Sequence, residues 1–265
     1  MCKVSVLMPV YNTNEVFLRE AIDSVLNQTF SNFKLIIVND GSTNNVEDVI
    51  LSYNDNRIIY HKNPKNLGLP KTRNKLFRLA EGDYCAILDS DDIALPQRLE
   101  KQISFMDKHY DVGICGSWIE HFPHKTIDKN AAFPDYISVL TSPSPFANSS
   151  VMLRRKLIEK FDLFYNEDFS VAEDYELWSR AIRFTKFANI QEVLVKYREH
   201  TNQISDRSNN IIIKKTKDVQ DNMLKFLTNN DAVYTLLKSA LFEKKHSTKI
   251  KVSLLGIPVI NIERK

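Results

Sequence analysis

The chain has 265 residues, with 36 Lys and Arg against 33 Asp and Glu, a formal charge of +3, 43% hydrophobic residues and 26% charged residues. That apolar content excludes a mainly disordered chain, and so small a charge gives no argument for a nucleic-acid partner. The length suits one large domain or a domain with an appendage. Taken in chain order, Val4 to Val10 is a short Val- and Leu-rich run that ends in a turn at Tyr11 and Asn12. It reads as a first strand rather than a leader peptide. From Glu15 to Gln28, Phe17, Leu18, Ala21, Ile22 and Val25 recur at helical spacing. Lys34 to Val38 reads as a second strand, closed by the turn residues Asn39, Asp40, Gly41 and Ser42. A helix at Val46 to Tyr53 and a third strand at Arg57 to Tyr60 follow. A loop from Pro64 to Pro70 leads into a helix at Lys71 to Ala80. A fourth strand at Tyr84 to Leu88 runs into Asp89, Ser90, Asp91 and Asp92. A helix from near Pro96 to about His109 precedes a fifth strand at Val112 to Ser117.

Strands separated by roughly ten-residue helices imply right-handed crossovers and a mostly parallel sheet covered on both faces. Such sheets bind ligands at the carboxyl ends of their strands, where Tyr11-Asn12, Asp40 and Asp89 to Asp92 all fall. Beyond Gly116 the pattern loosens. Residues 121 to 150, with Pro123, Pro134, Pro143 and Pro145, read as connecting loops. A strand at Ser150 to Leu153, a helix at Ala172 to Phe184 and a strand at Val193 to Arg198 come next. From about Ser208 the chain reads as helical and basic. Its last stretch sets Lys244, Lys245, Lys249, Lys251, Arg264 and Lys265 around an apolar LLGIPVI. No segment approaches the ~20 apolar residues that cross a bilayer. Cys2, Cys85 and Cys115 have neither an even count nor CxxC spacing, which points to reduced thiols in a cytoplasmic protein.

Several polar clusters admit a chemical reading beside a plain one. Asp89, Asp91 and Asp92 repel one another unless a cation or solvent offsets their charge. Hard oxygen ligands of this kind suit Mg²⁺ or Mn²⁺ bridged to substrate phosphates; the plain alternative is a solvated turn with a helix cap. Asp40 can accept hydrogen bonds from a ribose or base, or can serve only as a turn former. A dehydrogenase would also need GxGxxG after the first strand, where no glycine stands. Gly68 with the helix start, Lys71 and Arg73 offers positive potential to a diphosphate. Glu173 and Asp174 open a helix, a common macrodipole arrangement, and a general base there requires one carboxylate to face the sheet edge. His200 taken alone is one histidine among six.

In the order VSVLMPVYN, LNQTF, IIVNDGSTN, NLGLPKTRN, LDSDD, AEDYELWSRA and YREHTNQIS, these segments resemble family 2 glycosyltransferases. The likeness runs over about residues 3 to 206. It implies an α/β GT-A (Rossmann-like) fold with a mostly parallel central sheet flanked by helices, to which the stretch read above as helical and basic is a C-terminal extension. It also implies transfer of a sugar, with inversion, from a nucleotide-diphosphate donor such as a UDP-sugar. By the resemblance Pro9, Tyr11 and Asn12 line the nucleotide pocket, and Asp40 contacts the uracil or ribose. Asn66 and Arg73 match donor-site positions, with Lys71 beside them. Asp89, Ser90 and Asp91 form the DxD segment, Asp91 being favoured as the direct ligand of Mn²⁺ or Mg²⁺. His200 matches a metal-binding histidine, and Asp174 matches the catalytic base. The chain lacks the QxxRW motif and membrane helices of processive synthases, which favours single addition.

Residues 1–207 are then a catalytic domain with a nucleotide-binding half (1–120) and an acceptor half (121–207), followed by the extension at 208–265. The expected acceptor is a glycan or a lipid-linked one, in surface polysaccharide or lipooligosaccharide synthesis. The expected place is the cytoplasm, with the basic tail either touching the inner face of an anionic membrane or capping the domain. Two rivals stand. A nucleotidyltransferase usually has a glycine-rich basic loop where VYNTNE lies here. A non-catalytic nucleotide-sugar-binding protein has no need of the base.

Overall fold

Every residue of β1 (Val4–Val10) is buried, as a central strand packed on both faces requires. The computed structural model describes residues 2–142, 144–200, 209–242, 250–252 and 260–262. β1 leads into α1 (Glu15–Leu26), whose Asn14 cap accepts a hydrogen bond from the Val16 N–H and whose buried face carries Leu18, Ala21, Ile22 and Val25. β2 (Phe33–Asn39), α2 (Val46–Leu51), β3 (Ile58–Lys62), α3 (Leu69–Leu79) and β4 (Tyr84–Ile87) continue the expected alternation. β5 (Ile93–Ala94), α4 (Arg98–Lys108) and β6 (Val112–Phe122) follow.

The stretch expected to be loops is more structured than its prolines suggested. β6 runs on to Phe122, and β7 (Thr126–Asp128), α5 (Tyr136–Thr141) and a 3₁₀ turn (Asn148–Ser150) come after it. These pieces are three to six residues long, too short to show a hydrophobic period, and β7 is exposed throughout. β8 (Met152–Arg154), α6 (Arg155–Lys160), α7 (Glu173–Ala181) and β9 (Lys186–Arg198) complete the sheet region. The described part of the C-terminal region comprises α8 (Asn209–Leu227), α9 (Asp231–Phe242) and an antiparallel pair, β10 (Ile250–Val252) with β11 (Ile260–Ile262). The tail is therefore not helical throughout. Lys244, Lys245, Lys249, Arg264 and Lys265 lie outside the described residues.

The main sheet has the order β3-β2-β1-β4-β8-β6-β9-β5, with β7 paired to β6. β3, β2, β1 and β4 are mutually parallel. β8 runs antiparallel between β4 and β6, and β6 and β9 are again parallel. Alternate residues of the strands feed two cores. Val4, Val6, Met8 and Val10 pack with α1, α2 and α4 on one face. Leu7, Ile36, Val38 and Ile87 pack on the other with Leu76, Trp178 and Tyr175, and this core takes in Val219, Met223 and Leu224 of α8 and Leu237 and Leu241 of α9. Each such aliphatic side chain contributes about 1.5–3 kcal/mol on burial. Cys85 and Cys115 are buried free thiols, both pushed up to about 12 by burial, while Cys2 is partly exposed.

The β5–β9 pairing decides where the acids go. Ile93 lies opposite Lys196 and Ala94 opposite Val195, in antiparallel register. Extending that register outward sets Asp92 opposite Tyr197 and Asp91 opposite Arg198.

Candidate active site

At the end of β2, Asp40 is 3% exposed, and its carboxylate is enclosed by donors. Oδ1 accepts from Asn63 Nδ2 at 2.8 Å and from the Leu67 N–H at 2.9 Å, and Oδ2 accepts from the Gly68 N–H at 3.0 Å. The loop before α3 is thereby folded over β2. Gly41, at φ +69°, makes room for it, since a Cβ there would lie 2.4 Å from the Lys65 carbonyl carbon. Gly68, at φ +94°, turns the chain into α3. Asn66 accepts from the Gly68 N–H at 2.9 Å. On the neighbouring strand end, Pro9 is buried and Tyr11 is 48% exposed. Asn12, at φ +49°, accepts from the Thr43 N–H at 2.8 Å and so ties the β1 turn to the β2 turn.

The DSDD segment after β4 is held at every residue. Asp89 accepts from Arg73 Nη2 at 2.8 Å and from the Ser149 hydroxyl at 3.1 Å. The Ser90 and Thr13 hydroxyls are 2.7 Å apart. Asp91 Oδ2 lies 2.9 Å from His200 Nε2, with both side chains about a quarter exposed, at 27% and 23%. Asp92 is buried, accepts from the Arg198 N–H at 2.9 Å, and has an unpartnered Oδ2. Burial, together with the charges of Asp91 and Asp89, pushes Asp92 well above the usual carboxylate range. Burial also raises Asp91, against the pull of His200.

Arg73 joins this segment to α7. Its side chain is 6% exposed, with Nη2 on Asp89 and Nη1 on Glu173 at 2.5 Å, and the guanidinium lies 5.4 Å from the Tyr165 ring centre. Burial works against the charge, but the carboxylates of Asp89 and Glu173 outweigh it and raise Arg73 further. Burial pushes Glu173 up to about 7 in spite of Arg73. Asp174, partly exposed beside it, accepts from the Tyr175 N–H at 2.7 Å and is likewise raised by burial, with Arg73 pulling the other way. Its elevated basicity and partial exposure fit a group that removes a proton.

The structure thus links Asp89, Arg73 and Glu173 in one network, with Asp174 next along α7, and sets Asp91 beside His200. Asp40 is joined to them through the Gly68 turn and α3. Lys71 stays on the surface, 51% exposed and 4.0 Å from Glu167. Sequence reasoning missed Glu173 as the partner of Arg73, Ser149 as the support of Asp89, and Arg198. Only the bulk acidity of the first turn of α7 hinted at the first, and nothing local signalled the others. Among the described residues no three His, Cys, Asp or Glu side chains converge into a ready metal cage. Asp91 and His200 nevertheless form a pair of oxygen and nitrogen donors, and their 2.9 Å spacing matches neighbouring ligands of an octahedral ion with bonds of about 2.1 Å. The donor set fits an ion that leaves most of its positions to water and phosphate.

Comparison with known proteins bears on the fold and the family. An uncharacterized glycosyltransferase of Methanocaldococcus jannaschii is 38% identical over 234 residues, 81% of this chain and 75% of its own length. An uncharacterized glycosyltransferase of Haemophilus influenzae is 34% identical, over 76% of this chain and 67% of its own. Among solved structures, S. aureus TarS 1-349 in complex with UDP-GlcNAc superposes with a TM-score of 0.73 at 19% identity, covering 88% of this chain and 69% of that one. The mannosyltransferase PcManGT of Pyrobaculum calidifontis, in complex with GDP-Man and Mn²⁺, gives 0.65 at 15% identity over 91% of this chain and 70% of that one. These likenesses establish the expected GT-A fold. The family model for glycosyl transferase family 2 matches residues 5–166, and with the identities to its relatives this places the chain in that family as a glycosyltransferase.

Proposed function

We propose that the protein transfers a sugar, with inversion, from a nucleotide-diphosphate donor to a hydroxyl of a glycan or lipid-linked acceptor, with UDP-sugar as the donor class. The observation that carries this reading is the Asp89–Arg73–Glu173 chain. It brings the DxD segment to the start of α7, beside the partly exposed Asp174. The complexes of TarS with UDP-GlcNAc and of PcManGT with GDP-Man support the donor class.

In this reading Asp174 takes the proton of the acceptor hydroxyl, and its raised proton affinity suits that task. General-base catalysis is typically worth 10²–10⁴-fold. Pro9, Tyr11, Asn12 and the loop tethered by Asp40 form the bed for the nucleoside, with Asn66 and Lys71 at its rim. Arg73, occupied by two carboxylates, orders the acids rather than reaching out to phosphate. Asp91 and His200 would hold Mn²⁺ or Mg²⁺, which when bound supplies positive charge to the departing diphosphate. The mannosyltransferase complex with Mn²⁺ supports such an ion.

Family membership favours glycosyl over nucleotidyl transfer, and one assay addresses both rivals. A panel of nucleotide sugars is incubated with acceptor mixtures in Mn²⁺, Mg²⁺ or EDTA. Metal-dependent release of nucleoside diphosphate is expected. Pyrophosphate release, or binding of donor with no turnover on any acceptor tried, would count against the reading. Among the described residues no helix is long and apolar enough to cross a membrane. We place the enzyme in surface polysaccharide or lipooligosaccharide synthesis, in the cytoplasm, with the basic tail touching the membrane's inner face. Loss of liposome flotation on removal of residues 244–265 tests that contact.

A further inference from the structure

Two of the proposed cation ligands come from distant parts of the chain, Asp91 from the turn after β4 and His200 from beyond β9, a separation of 109 residues. Something must hold those two segments in register, and the contacts of Arg198 do so at several points. Its backbone N–H donates to Asp92 Oδ1 at 2.9 Å, and its Nε–H donates to the Asp91 carbonyl oxygen at 2.7 Å. Its Nη2 pairs with Glu20 of α1. The guanidinium lies 4.1 Å from the Phe17 ring centre and 4.4 Å from that of Phe122. Phe17 in turn packs against the His200 ring, at 5.4 Å between centres. The Arg198 side chain is only 11% exposed.

We propose that Arg198 is a positioning residue that fixes the spacing of Asp91 and His200, and thereby sets the affinity of that pair for a divalent cation. The inference rests on the reading of the pair as cation ligands. A planar fork flanked by two aromatic rings presents Nε–H to a carbonyl and Nη2 to a carboxylate at the same time. A lysine keeps the charge but cannot make both contacts in one plane, nor stack in the same way. With the fork removed, the turn carrying Asp91 is free to move relative to His200, and each ligand must be ordered when the ion binds. Groups that orient metal ligands in this way typically carry about 10–100-fold of metal affinity.

The test uses the full chain with Mn²⁺ as the probe, its free form followed by electron paramagnetic resonance, and UDP binding in EDTA followed by calorimetry. Arg198→Lys and Arg198→Gln are expected to weaken Mn²⁺ binding about 10–100-fold. UDP affinity without metal should stay within twofold of wild type. Mn²⁺ affinity within twofold of wild type in Arg198→Lys overturns the proposal. So does a loss of UDP affinity in EDTA, which would make Arg198 a nucleotide contact. Wild-type protein that binds UDP but no Mn²⁺ overturns the cation reading and the proposal with it. Wild-type protein that binds both, beside an unaltered Arg198→Lys, overturns the proposal alone. If both arginine variants melt early, Glu20→Gln carries the test from the exposed side of α1. A threefold or greater loss of Mn²⁺ affinity with unchanged melting supports the clamp, and an unchanged affinity overturns it.

Discussion

Replacing Arg73 with methionine keeps most of the side-chain volume and removes the charge that two acids share. Glu173 is 10% exposed and loses its guanidinium, and Asp89, 28% exposed, keeps the Ser149 hydroxyl. Removing one partner of a buried pair costs about 3–5 kcal/mol when the other stays charged, and here that would fall on Glu173, since the more open Asp89 is screened by solvent. The loss has a ceiling, because the orphaned Glu173 can take a proton. With Arg73 in place Glu173 already sits at about 7, so the wild type at pH 7.5 has lost about 3 of the roughly 4 kcal/mol that full neutralisation of a glutamate of ordinary pKa 4.5 takes. The proton therefore caps the further loss through Glu173 at about 1 kcal/mol at pH 7.5, and at close to nothing at pH 5.5, where Glu173 is already neutral. The sign follows from proton uptake. A carboxyl raised in the folded state binds more protons folded than unfolded, so its contribution to stability declines as pH rises above the unfolded value. Arg73→Met should therefore lose about 1 kcal/mol more stability at pH 7.5 than at pH 5.5, well short of the roughly 3–5 kcal/mol of a buried charge left unpaired. Arg73→Met with Glu173→Gln should abolish that pH-dependent part of the loss. Urea unfolding of the wild type, both single variants and the double variant, at both pH values, measures each quantity. A loss that grows by more than about 2 kcal/mol from pH 5.5 to pH 7.5, or a growth that persists in the double variant, refutes the argument.

Asp174→Asn is expected to retain UDP-sugar binding while turnover falls about 10²–10⁴-fold, read from steady-state kinetics with a matched binding isotherm. The raised proton affinity of Asp174 shifts the acidic limb of kcat/KM above the usual aspartate range, because activity is lost as pH falls through the raised value and the base fills with a proton. A limb at or below pH 4 contradicts this. Asp40→Ala strands the Leu67 and Gly68 N–H groups and the Asn63 amide, at about 2–4 kcal/mol of stability, and should weaken UDP binding in parallel. Gly41→Ala should be worse placed still, since its Cβ meets backbone and its φ is +69°; urea melts with intact stability would exclude the loop contact described for Lys65.

Much of the fold could be read from local pattern. β1, β2 and β4 are buried runs closed by turn residues, and α1, α3 and α4 show helical spacing with caps or prolines near their starts. Those elements put Tyr11, Asp40 and Asp89 to Asp92 on one sheet edge. The shorter pieces were not legible. β5 has two residues and exists through its pairing with β9, and β8 runs antiparallel in the middle of the sheet because β4 and β6 flank it on both sides. The helix at α7 was legible, but its carboxylates could equally have been macrodipole acids on a solvated turn.

The sequence by itself determined the longer strands and helices, and which acids stand at strand ends, because those choices depend on contacts between residues a few positions apart. Tertiary structure alone decided that Arg73 meets Glu173 across 100 residues, that Asp91 meets His200 across 109, and that Arg198 grips the turn between them. Those meetings follow from sheet order and strand register, which are set by the packing of both cores together and leave no periodic trace in the chain.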